Sequence, residues 1–303
     1  MGLRFAFIGI GTMGEPIARK LLRAGAGLQA YDVRPQAVDR LVREGAQLAR
    51  NPVQAASGAD ILFTCLPDEA ALDAVYFGPG GLIEAADVPR IVVDLSTSGP
   101  DMARKIGGRL QARDVSFIDA PVSGGAQAAE AGTLTVIVSG RQSAVETAMP
   151  ALQCFGRDVF VVGNEAGQAQ VVKLINNVLS YAALAISSEA LVVGCKAGID
   201  VEAMVRALNK GTARNSAIDS KIPRSVLSRR FDFGASNRIS RKDLSLYLDL
   251  ARRLNVATPI AGLLFSLLQM WMRAREDEDM TSIARLFEGW AGVQLGTGEP
   301  HEL

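Results

Sequence analysis

Short apolar runs alternate with amphipathic segments through the first half of the chain. LRFAFIGIG (residues 3–11) predicts a strand that enters a glycine turn, and GEPIARKLLRAGA (residues 14–26) has the apolar spacing of a helix. Further strands are predicted at LQAYDV (28–33), ADILFTCLP (59–67), RIVVDLST (90–97), VSFIDAPV (115–122), LTVIVSG (134–140) and DVFVVG (158–163). Strands separated by helices predict βαβ units and a mainly parallel, doubly wound α/β sheet.

After Gly163 the pattern changes, because no convincing strand follows and helical periodicity continues to the end. A long helix is predicted over about residues 167–196, and Asp200 is suited to cap the next helix. Thr258 followed by Pro259 predicts the start of a later helix. We therefore expect an α/β domain over residues 1–163, joined by the long helix to an all-helical domain over residues 164–303.

Composition excludes several classes of protein. The chain has 303 residues and 32 basic residues against 32 acidic ones, whereas nucleic acids and anionic membranes attract proteins with a basic excess. Polar residues interrupt the apolar stretch 178–193, so no membrane span is expected. The first residues enter a strand pattern directly, without a signal peptide, which predicts a cytoplasmic protein. Scattered carboxylates and three widely spaced cysteines indicate neither a metal site nor a disulfide framework.

The chain has a single histidine, His301, which is third from the C-terminus, where chain ends usually fray. Acid–base chemistry would therefore fall to another residue type.

Gly9, Gly11 and Gly14 form a G-x-G-x-x-G motif between the first strand and the first helix. In this context the motif predicts a dinucleotide-binding Rossmann domain, in which Gly9 permits the turn, Gly11 admits the pyrophosphate and Gly14 allows close packing. The N–H groups at the helix start, near Thr12 and Met13, would bind the phosphates.

Asp32 follows the second predicted strand, where an acidic side chain accepts hydrogen bonds from the adenosine ribose. A carboxylate there repels a 2′-phosphate, so NAD is favoured as the cofactor, while the nearby Arg34 leaves NADP possible. The alternative is an ordinary glycine turn with a solvated aspartate. Other strands end in CLP (65–67), DLSTSGP (94–100) and DAPVSGG (119–125), which we expect to line one crevice.

Lys173 stands in an otherwise apolar helical segment, VVKLINNVLS (residues 171–180). Lys173 and Asn177 share one helix face, which predicts a polar surrounding for both. A partly buried ammonium has a lowered pKa and is suited to exchange a proton with a hydroxyl group during hydride transfer. The alternative is that Lys173 extends to solvent along the helix edge.

Ser123, Gly124 and Gly125 offer a hydroxyl group and accessible N–H groups, which are suited to bind a substrate carboxylate. Taken alone, the same loop is equally typical of a flexible strand-to-helix turn.

Four segments together resemble the β-hydroxyacid dehydrogenases, which include 3-hydroxyisobutyrate dehydrogenase and tartronate semialdehyde reductase. The segments are FIGIGTMGEPIA (7–18), DAPVSGGAQAAEAGT (119–133), GQAQVVKLINN (167–177) and RKDLSLYLDLA (241–251). Their order and spacing follow the family, and the resemblance covers nearly the whole chain. It implies a Rossmann domain, an all-helical domain and an active site between them.

The resemblance also implies roles for individual residues. Lys173 matches the catalytic lysine, and Ser123, Gly124 and Asn177 match contacts to a small carboxylate substrate. Thr97 and Lys242 match cofactor contacts, and Leu66 and Pro67 match contacts beside the nicotinamide ribose. A homodimer or homotetramer is implied as well.

One segment departs from the family pattern. FDFGASNRISRKDL (residues 231–244) has Ala235 where a phenylalanine is usual and Arg238 where an aspartate is common. The smaller Ala235 could enlarge the pocket, and Arg238 could favour a second anionic group on the substrate. The hypothesis is therefore that the substrate is not simply 3-hydroxyisobutyrate.

The leading interpretation is an NAD-dependent dehydrogenase of small 3-hydroxyacids. An imine reductase has a similar architecture with another residue in place of the lysine, so Lys173 argues against it. An NADPH-dependent reductase of glyoxylate or succinic semialdehyde is disfavoured by Asp32. A cofactor-binding module without catalysis would be expected to lack the reactive lysine.

Overall fold

The computed structural model of the protein describes residues 2–25 and 27–297. The chain forms two compact units, Met1–Lys173 and Leu174–Leu303, and the division falls within one long helix. The first unit alternates strands with helices, and the second unit is helical. The α/β sheet followed by an all-helical region confirms the fold class predicted from the sequence.

The first unit contains nine strands within its described residues. The strands are β1 (Arg4–Ile8), β2 (Gly27–Tyr31), β3 (Gln47–Leu48), β4 (Ile61–Thr64), β5 (Ile91–Asp94), β6 (Ser116–Asp119), β7 (Val122–Ser123), β8 (Leu134–Gly140) and β9 (Gly156–Gly163). The helices of this unit are α1 (Gly14–Arg23), α2 (Asp39–Arg43), α3 (Pro52–Ala56), α4 (Glu69–Phe77), α5 (Gly99–Gln111), α6 (Gly125–Ala131) and α7 (Gln142–Leu152).

The strands form one sheet in the order β3-β2-β1-β4-β5-β6-β8-β7, with β9 paired to β8. The first six strands in this order, from β3 through β1 to β6, run parallel to one another. Strand β8 runs antiparallel to β6 and β7 and parallel to β9. The sheet reverses its order beside β1, where the chain crosses from β3 to β4. In open α/β sheets, ligands bind beyond the carboxyl ends of the strands at such a reversal.

Both faces of the sheet are buried at its central strands β1, β4, β5 and β6, which explains why these strands are apolar without alternation. On β1, Phe5 and Phe7 belong to one core, in which Phe7 stacks on Phe63. Ala6 and Ile8 belong to the core on the opposite face, together with Leu62 and Tyr76. Successive strand residues point to opposite faces, so two apolar layers fix the sheet rigidly beneath its loops.

The second unit is built from helices with different hydrogen-bonding patterns. The long helix α8 (Gln168–Lys196) begins in the first unit; it is followed by α9 (Val201–Lys210), a π-type helix (Ala217–Leu227), α10 (Asn237–Arg253), α11 (Pro259–Met272) and α12 (Ala284–Ala291). Asp200 accepts a hydrogen bond from the backbone N–H of Ala203, which confirms the predicted cap of α9. Pro259 occupies the first turn of α11, as the sequence predicted.

Within the described part of the chain, α8 is the one helix long and apolar enough to cross a membrane, and 44% of its apolar window is buried. Its polar residues form hydrogen bonds within the second unit. Ser188 donates to the carbonyl of Leu184, and Ser187 accepts from the side-chain amide of Asn215 at 3.2 Å. These contacts are typical of a helix at the core of a helical domain, where polar groups must be paired.

Candidate functional site

The glycine turn between β1 and α1 has the geometry that its motif predicts. Gly9 adopts a φ of +96°, and a Cβ atom there would lie 2.3 Å from the carbonyl oxygen of Cys65. A Cβ atom on Gly14 would lie 1.9 Å from the carbonyl oxygen of Gly9. A Cβ atom on Gly11 would contact nothing within 4 Å. Gly9 and Gly14 therefore serve the turn itself, whereas Gly11 keeps a surface open.

Helix α1 starts beside this open surface without a side-chain cap. Met13 is its N-cap residue, and no side chain accepts a hydrogen bond from its first turn. The first N–H groups of a helix carry a partial positive charge and bind anions well. Thr12, which precedes Met13, is exposed in the same turn. The start of α1 thus fits the phosphates of a dinucleotide.

Asp32 follows β2 and is tied to the glycine turn. Its Oδ2 atom accepts a hydrogen bond from the backbone N–H of Ile10 at 2.9 Å. Its Oδ1 atom accepts from the backbone N–H of Arg34 at 2.9 Å, and the Arg34 Nε atom lies 3.3 Å from the same oxygen. The carboxylate is 8% exposed, whereas the arginine side chain is largely exposed. A buried carboxylate and an exposed cation therefore lie together at the edge of the proposed ribose site.

The loops after β4 and β5 contact each other at the carboxyl edge of the sheet. Leu66 donates its backbone N–H to Ser96 Oγ at 2.8 Å, and Ser96 Oγ donates to Asp94 Oδ1 at 2.6 Å. The loop that contains Leu66 and Pro67 is thereby fixed to the loop that contains Thr97. Neighbouring parallel strands end at the same edge of a sheet, so a contact between the loops after β4 and β5 is expected.

Asp94 and Asp119 end β5 and β6, and both are fully buried. Burial raises the pKa of Asp94, although hydrogen bonds from Ser96 and Thr64 oppose the shift. Burial likewise raises the pKa of Asp119 to about 6, opposed by hydrogen bonds from Ser139 and the backbone of Gln170. Sequence analysis did not single out either carboxylate, since each reads as an ordinary strand end.

Gln170 links the loop after β5 to the start of α8. Its side-chain Oε1 accepts from the backbone N–H groups of Ser98 at 3.0 Å and Gly99 at 3.2 Å. Its Nε2 atom donates to the carbonyl of Ser96 at 3.0 Å. The loop around Thr97 is therefore held directly by the first turn of α8.

Lys173 lies in that same first part of α8 and is 8% exposed. Its apolar neighbours Val172 and Ile175 are more exposed than the lysine, at 37% and 42%. This pattern is the reverse of what an amphipathic surface helix shows. The lysine side chain lies in the protein interior, so the alternative of a solvent-extended side chain does not describe this structure.

Ser123, Gly124 and Gly125 lie where β7 passes into α6. Gly124 has a φ of +133° and Gly125 a φ of +71°, conformations that strongly favour glycine. No side chain caps α6, and both glycines are exposed. The loop therefore presents backbone N–H groups at a helix start, as an anion site requires.

In the second unit, Asn177 and Lys242 are joined by a residue that sequence analysis missed. Asp243 is 1% exposed, and its Oδ2 atom accepts from Asn177 Nδ2 at 2.6 Å. Its Oδ1 atom lies 3.4 Å from the ammonium of Lys242. Asp243 thus orients both predicted site residues. The sequence offered one indication of this role, because Asp243 is adjacent to Lys242. Its other partner, Asn177, is 66 residues away and could not be identified from the sequence.

Arg238 and Ala235 have structural partners of their own. Arg238 pairs with Glu276 and Asp277, each at 3.0 Å, so its charge is already compensated within the second unit. Ala235 donates its backbone N–H to the side-chain Oδ2 atom of Asp279 at 3.2 Å, and its carbonyl accepts the backbone N–H of Met280 at 2.7 Å. His301 lies outside the described residues. Within residues 2–25 and 27–297, no group of three or more metal-ligating side chains is found.

Comparisons with known proteins match both the α/β part and the helical part of the chain. Residues 4–163 match the family described as the NAD-binding domain of 6-phosphogluconate dehydrogenase. Residues 167–287 match the family described as NAD-binding of NADP-dependent 3-hydroxyisobutyrate dehydrogenase. The second match spans the whole of α8, the helix of membrane-spanning length.

Individual relatives span almost the full chain. A 2-(hydroxymethyl)glutarate dehydrogenase of Eubacterium barkeri is 33% identical, over 98% of this chain and 99% of its own. A 3-hydroxyisobutyrate dehydrogenase of Pseudomonas aeruginosa is 34% identical, over 94% and 98%. The structure of a Mycobacterium tuberculosis 3-hydroxyisobutyrate dehydrogenase with L-serine has a TM-score of 0.87 at 25% identity, covering 94% of this chain and 99% of that one.

Proposed function

The chain belongs to the β-hydroxyacid dehydrogenase family of NAD(P)-dependent oxidoreductases, and we propose that it interconverts a small 3-hydroxyacid and the matching aldehyde or keto acid. The observation that carries the proposal is the buried Lys173, one turn beyond the residues that hold the Thr97 loop. NAD, when bound, supplies the acceptor for the hydride. The protein must supply the remaining steps, which are substrate orientation and transfer of the hydroxyl proton.

Lys173 is proposed to be the general acid and base. As a neutral amine it accepts the hydroxyl proton during oxidation, and as an ammonium it returns that proton during reduction. In either direction the positive form stabilises negative charge that develops on the substrate oxygen. Burial strengthens this interaction because water no longer screens it.

The substrate carboxylate is proposed to bind Ser123 and the N–H groups of Gly124 and Gly125. Asn177 is proposed to add a further polar contact, since Asp243 holds its amide in one orientation. Gly11, Thr12, Met13 and Asp32 are proposed to hold the adenosine half of the cofactor, while Leu66, Pro67, Thr97 and Lys242 are proposed to contact its nicotinamide half.

A panel of aldehyde acids tests the proposed activity. We expect the purified protein to oxidise NADH with at least one member of a panel that includes methylmalonate, tartronate and succinic semialdehydes and formylglutarate. NADPH is assayed in parallel. A cyclic imine is assayed beside the panel, and turnover of the imine without turnover of any acid would instead identify an imine reductase. Cofactor binding without turnover of any acid or imine would identify a binding module.

NAD is the proposed preferred cofactor because the Asp32 carboxylate repels a 2′-phosphate. Replacing Asp32 with Asn removes the charge at constant shape, and we expect the ratio of kcat/KM for NADH over NADPH to fall roughly tenfold or more. Arg34→Ala is the matched control, since loss of this cation should lower kcat/KM for NADPH and leave NADH nearly unchanged. An unchanged ratio of kcat/KM for NADH over NADPH in Asp32→Asn would show that the charge of Asp32 does not set the cofactor preference.

Asp243 is predicted to matter through Asn177 and Lys242. Asp243→Ala leaves the Asn177 amide without its buried acceptor, and we expect KM for the hydroxyacid to rise about tenfold. Asp249→Ala on the same helix removes an exposed carboxylate paired with Arg252 and should leave KM unchanged. Equal KM values in the two variants would show that Asp243 does not orient the site.

We also propose that the chain assembles as a homodimer or homotetramer in the cytoplasm. Ile175, Leu179, Ile186 and Val193 lie on α8, and each is at least 42% exposed. Their spacing of four and seven residues places them on one helix face, and contiguous apolar patches mark interaction sites. A second copy of the chain is the proposed occupant.

A further inference from the structure

Asp119 stands at the end of β6, outside the contacts proposed for substrate and cofactor, yet its carboxylate is fully buried. Its Oδ2 atom accepts the backbone N–H of Gln170 at 3.1 Å, and the backbone of Gly167 also hydrogen-bonds to the carboxylate. Its Oδ1 atom accepts the hydroxyl proton of Ser139. All of these partners belong to the first unit.

Ser139 extends the same contact to the next N–H group of the helix. Its Oγ atom accepts the backbone N–H of Ala169 at 2.9 Å while donating to Asp119. Asp119 and Ser139 therefore accept the N–H groups of Gln170 and Ala169 in the first turn of α8, where N–H groups have no partners within the helix. A carboxylate at this end also interacts favourably with the helix dipole.

Lys173 follows these capped residues by one helical turn. Gln170 and Ala169 precede Lys173 by three and four residues, which is one helical turn. They therefore lie on the same side of the helix, and the placement of their backbone sets the position of Lys173. The side chain of Gln170 holds the opposite side of this turn through Ser96, Ser98 and Gly99. The turn is thus fixed from two sides, by a strand end and by the Thr97 loop.

From this geometry we propose that Asp119 is a positioning residue for the reaction, which holds the catalytic ammonium in place by capping the helix that carries it. This inference rests on the proposed role of Lys173. A neutral serine or asparagine caps helices well without burying a charge. Burial raises the pKa of Asp119 to about 6, so the protein retains a carboxylate here against an unfavourable environment. Buried carboxylates with a raised pKa are typical of functional sites.

Asp119→Asn tests the proposal at nearly constant shape. The amide oxygen can still accept the backbone N–H of Gln170, but the Ser139 hydroxyl proton loses its acceptor and the negative charge at the start of α8 is removed, so the first turn of α8 loosens. A displacement of the reacting group by about 1 Å lowers turnover on the order of a hundredfold. We expect kcat to fall by about ten- to a hundredfold, while the dissociation constant of NADH, measured by fluorescence titration, changes by less than about twofold.

Asp200→Asn is the matched control, because Asp200 caps α9, which carries no proposed site residue. We expect its kcat to equal that of the parent. Ser139→Ala removes only the hydroxyl bridge to Ala169, and we expect a smaller loss of kcat in the same direction. If Asp119→Asn does not fold, Ser139→Ala decides the proposal.

A second measurement does not depend on turnover. Acetylation of Lys173 by an N-hydroxysuccinimide ester, followed by peptide mass spectrometry, reports how well the lysine is held, with the exposed Lys196 on the same helix as internal reference. We expect the ratio of Lys173 to Lys196 modification to rise severalfold in Asp119→Asn and not in Asp200→Asn. If the parent turns over no hydroxyacid, the proposed function fails, and this ratio still decides the role of Asp119. If Asp119→Asn changes neither the ratio of Lys173 to Lys196 acetylation nor kcat, the proposed positioning role of Asp119 is overturned.

Discussion

Lys173→Ala is expected to lose nearly all turnover, with kcat lower by about 10³-fold, a magnitude typical of a lost general acid–base group. No histidine is expected to take over the proton transfer, because the single histidine of the chain is His301, near the C-terminus. The dissociation constants of NAD and NADH should change little, since the substitution leaves intact the glycine turn and Asp32, which are proposed to hold the cofactor. Stopped-flow turnover and cofactor titration measure the two quantities separately.

Lys173→Arg separates the two tasks assigned to the lysine. Arginine keeps the positive charge but does not release its proton at working pH, so we expect substrate binding without appreciable turnover. Lys196→Ala is the control on the same helix, at an exposed position of its last turn, and should behave as the parent. If Lys173→Ala keeps more than about a tenth of parental kcat, proton transfer belongs to another group.

The glycines of the first turn should separate folding from cofactor binding. In Gly14→Ala the new methyl group would overlap the carbonyl oxygen of Gly9, 1.9 Å away, and neither backbone segment can move without breaking the turn. Overpacking of this kind costs about 3 kcal/mol, which lowers Tm by roughly 6–12 °C in a protein of this size. Differential scanning calorimetry measures the shift.

Gly11→Ala is the matched substitution in the same motif. Its methyl group enters open space, so Tm should stay within about 2 °C of the parent. The same space is where a pyrophosphate would approach, so we expect the dissociation constant of NAD to rise about tenfold or more. Tight NAD binding by Gly11→Ala would show that the phosphates lie elsewhere.

Much of the first unit could be predicted because its strands are buried on both faces and its turns follow fixed chemistry. The continuous apolar run around Phe5 and Phe7 and the glycines after it specify β1, the turn and α1 without reference to the rest of the chain. The two-residue strands β3 and β7 were not predicted as separate elements, since so short a run has no periodicity. The antiparallel pairing of β6 with β8 likewise depends on tertiary contacts.

The candidate site was predictable where local sequence fixes local geometry, as at Gly9, Gly14 and the start of α6. Its supporting contacts were not predictable. Asp119 meets Gln170 across 51 residues, and Asp243 meets Asn177 across 66. Such pairs depend on the register of packed elements, which no short pattern encodes.

The segment 217–227 is helical, as the periodicity of the second half of the chain predicts, although it contains a residue that disfavours helices. It contains Pro223, which usually interrupts a helix, yet the segment forms one continuous π-type helix. Packing of Ile218, Ile222 and Val226 into the helical core stabilises the segment.

The most direct test of the central claim follows one hydrogen atom. A 3-hydroxyacid identified by the panel is prepared with deuterium in place of every hydrogen on the carbon that bears the hydroxyl group and is incubated with the protein and NAD in ordinary water. We predict that each reduced nicotinamide formed carries one deuterium, on a single face of the ring, as mass spectrometry and proton NMR would show. Reduced nicotinamide without deuterium, or deuterium lost to solvent, would contradict hydride transfer from a 3-hydroxyacid.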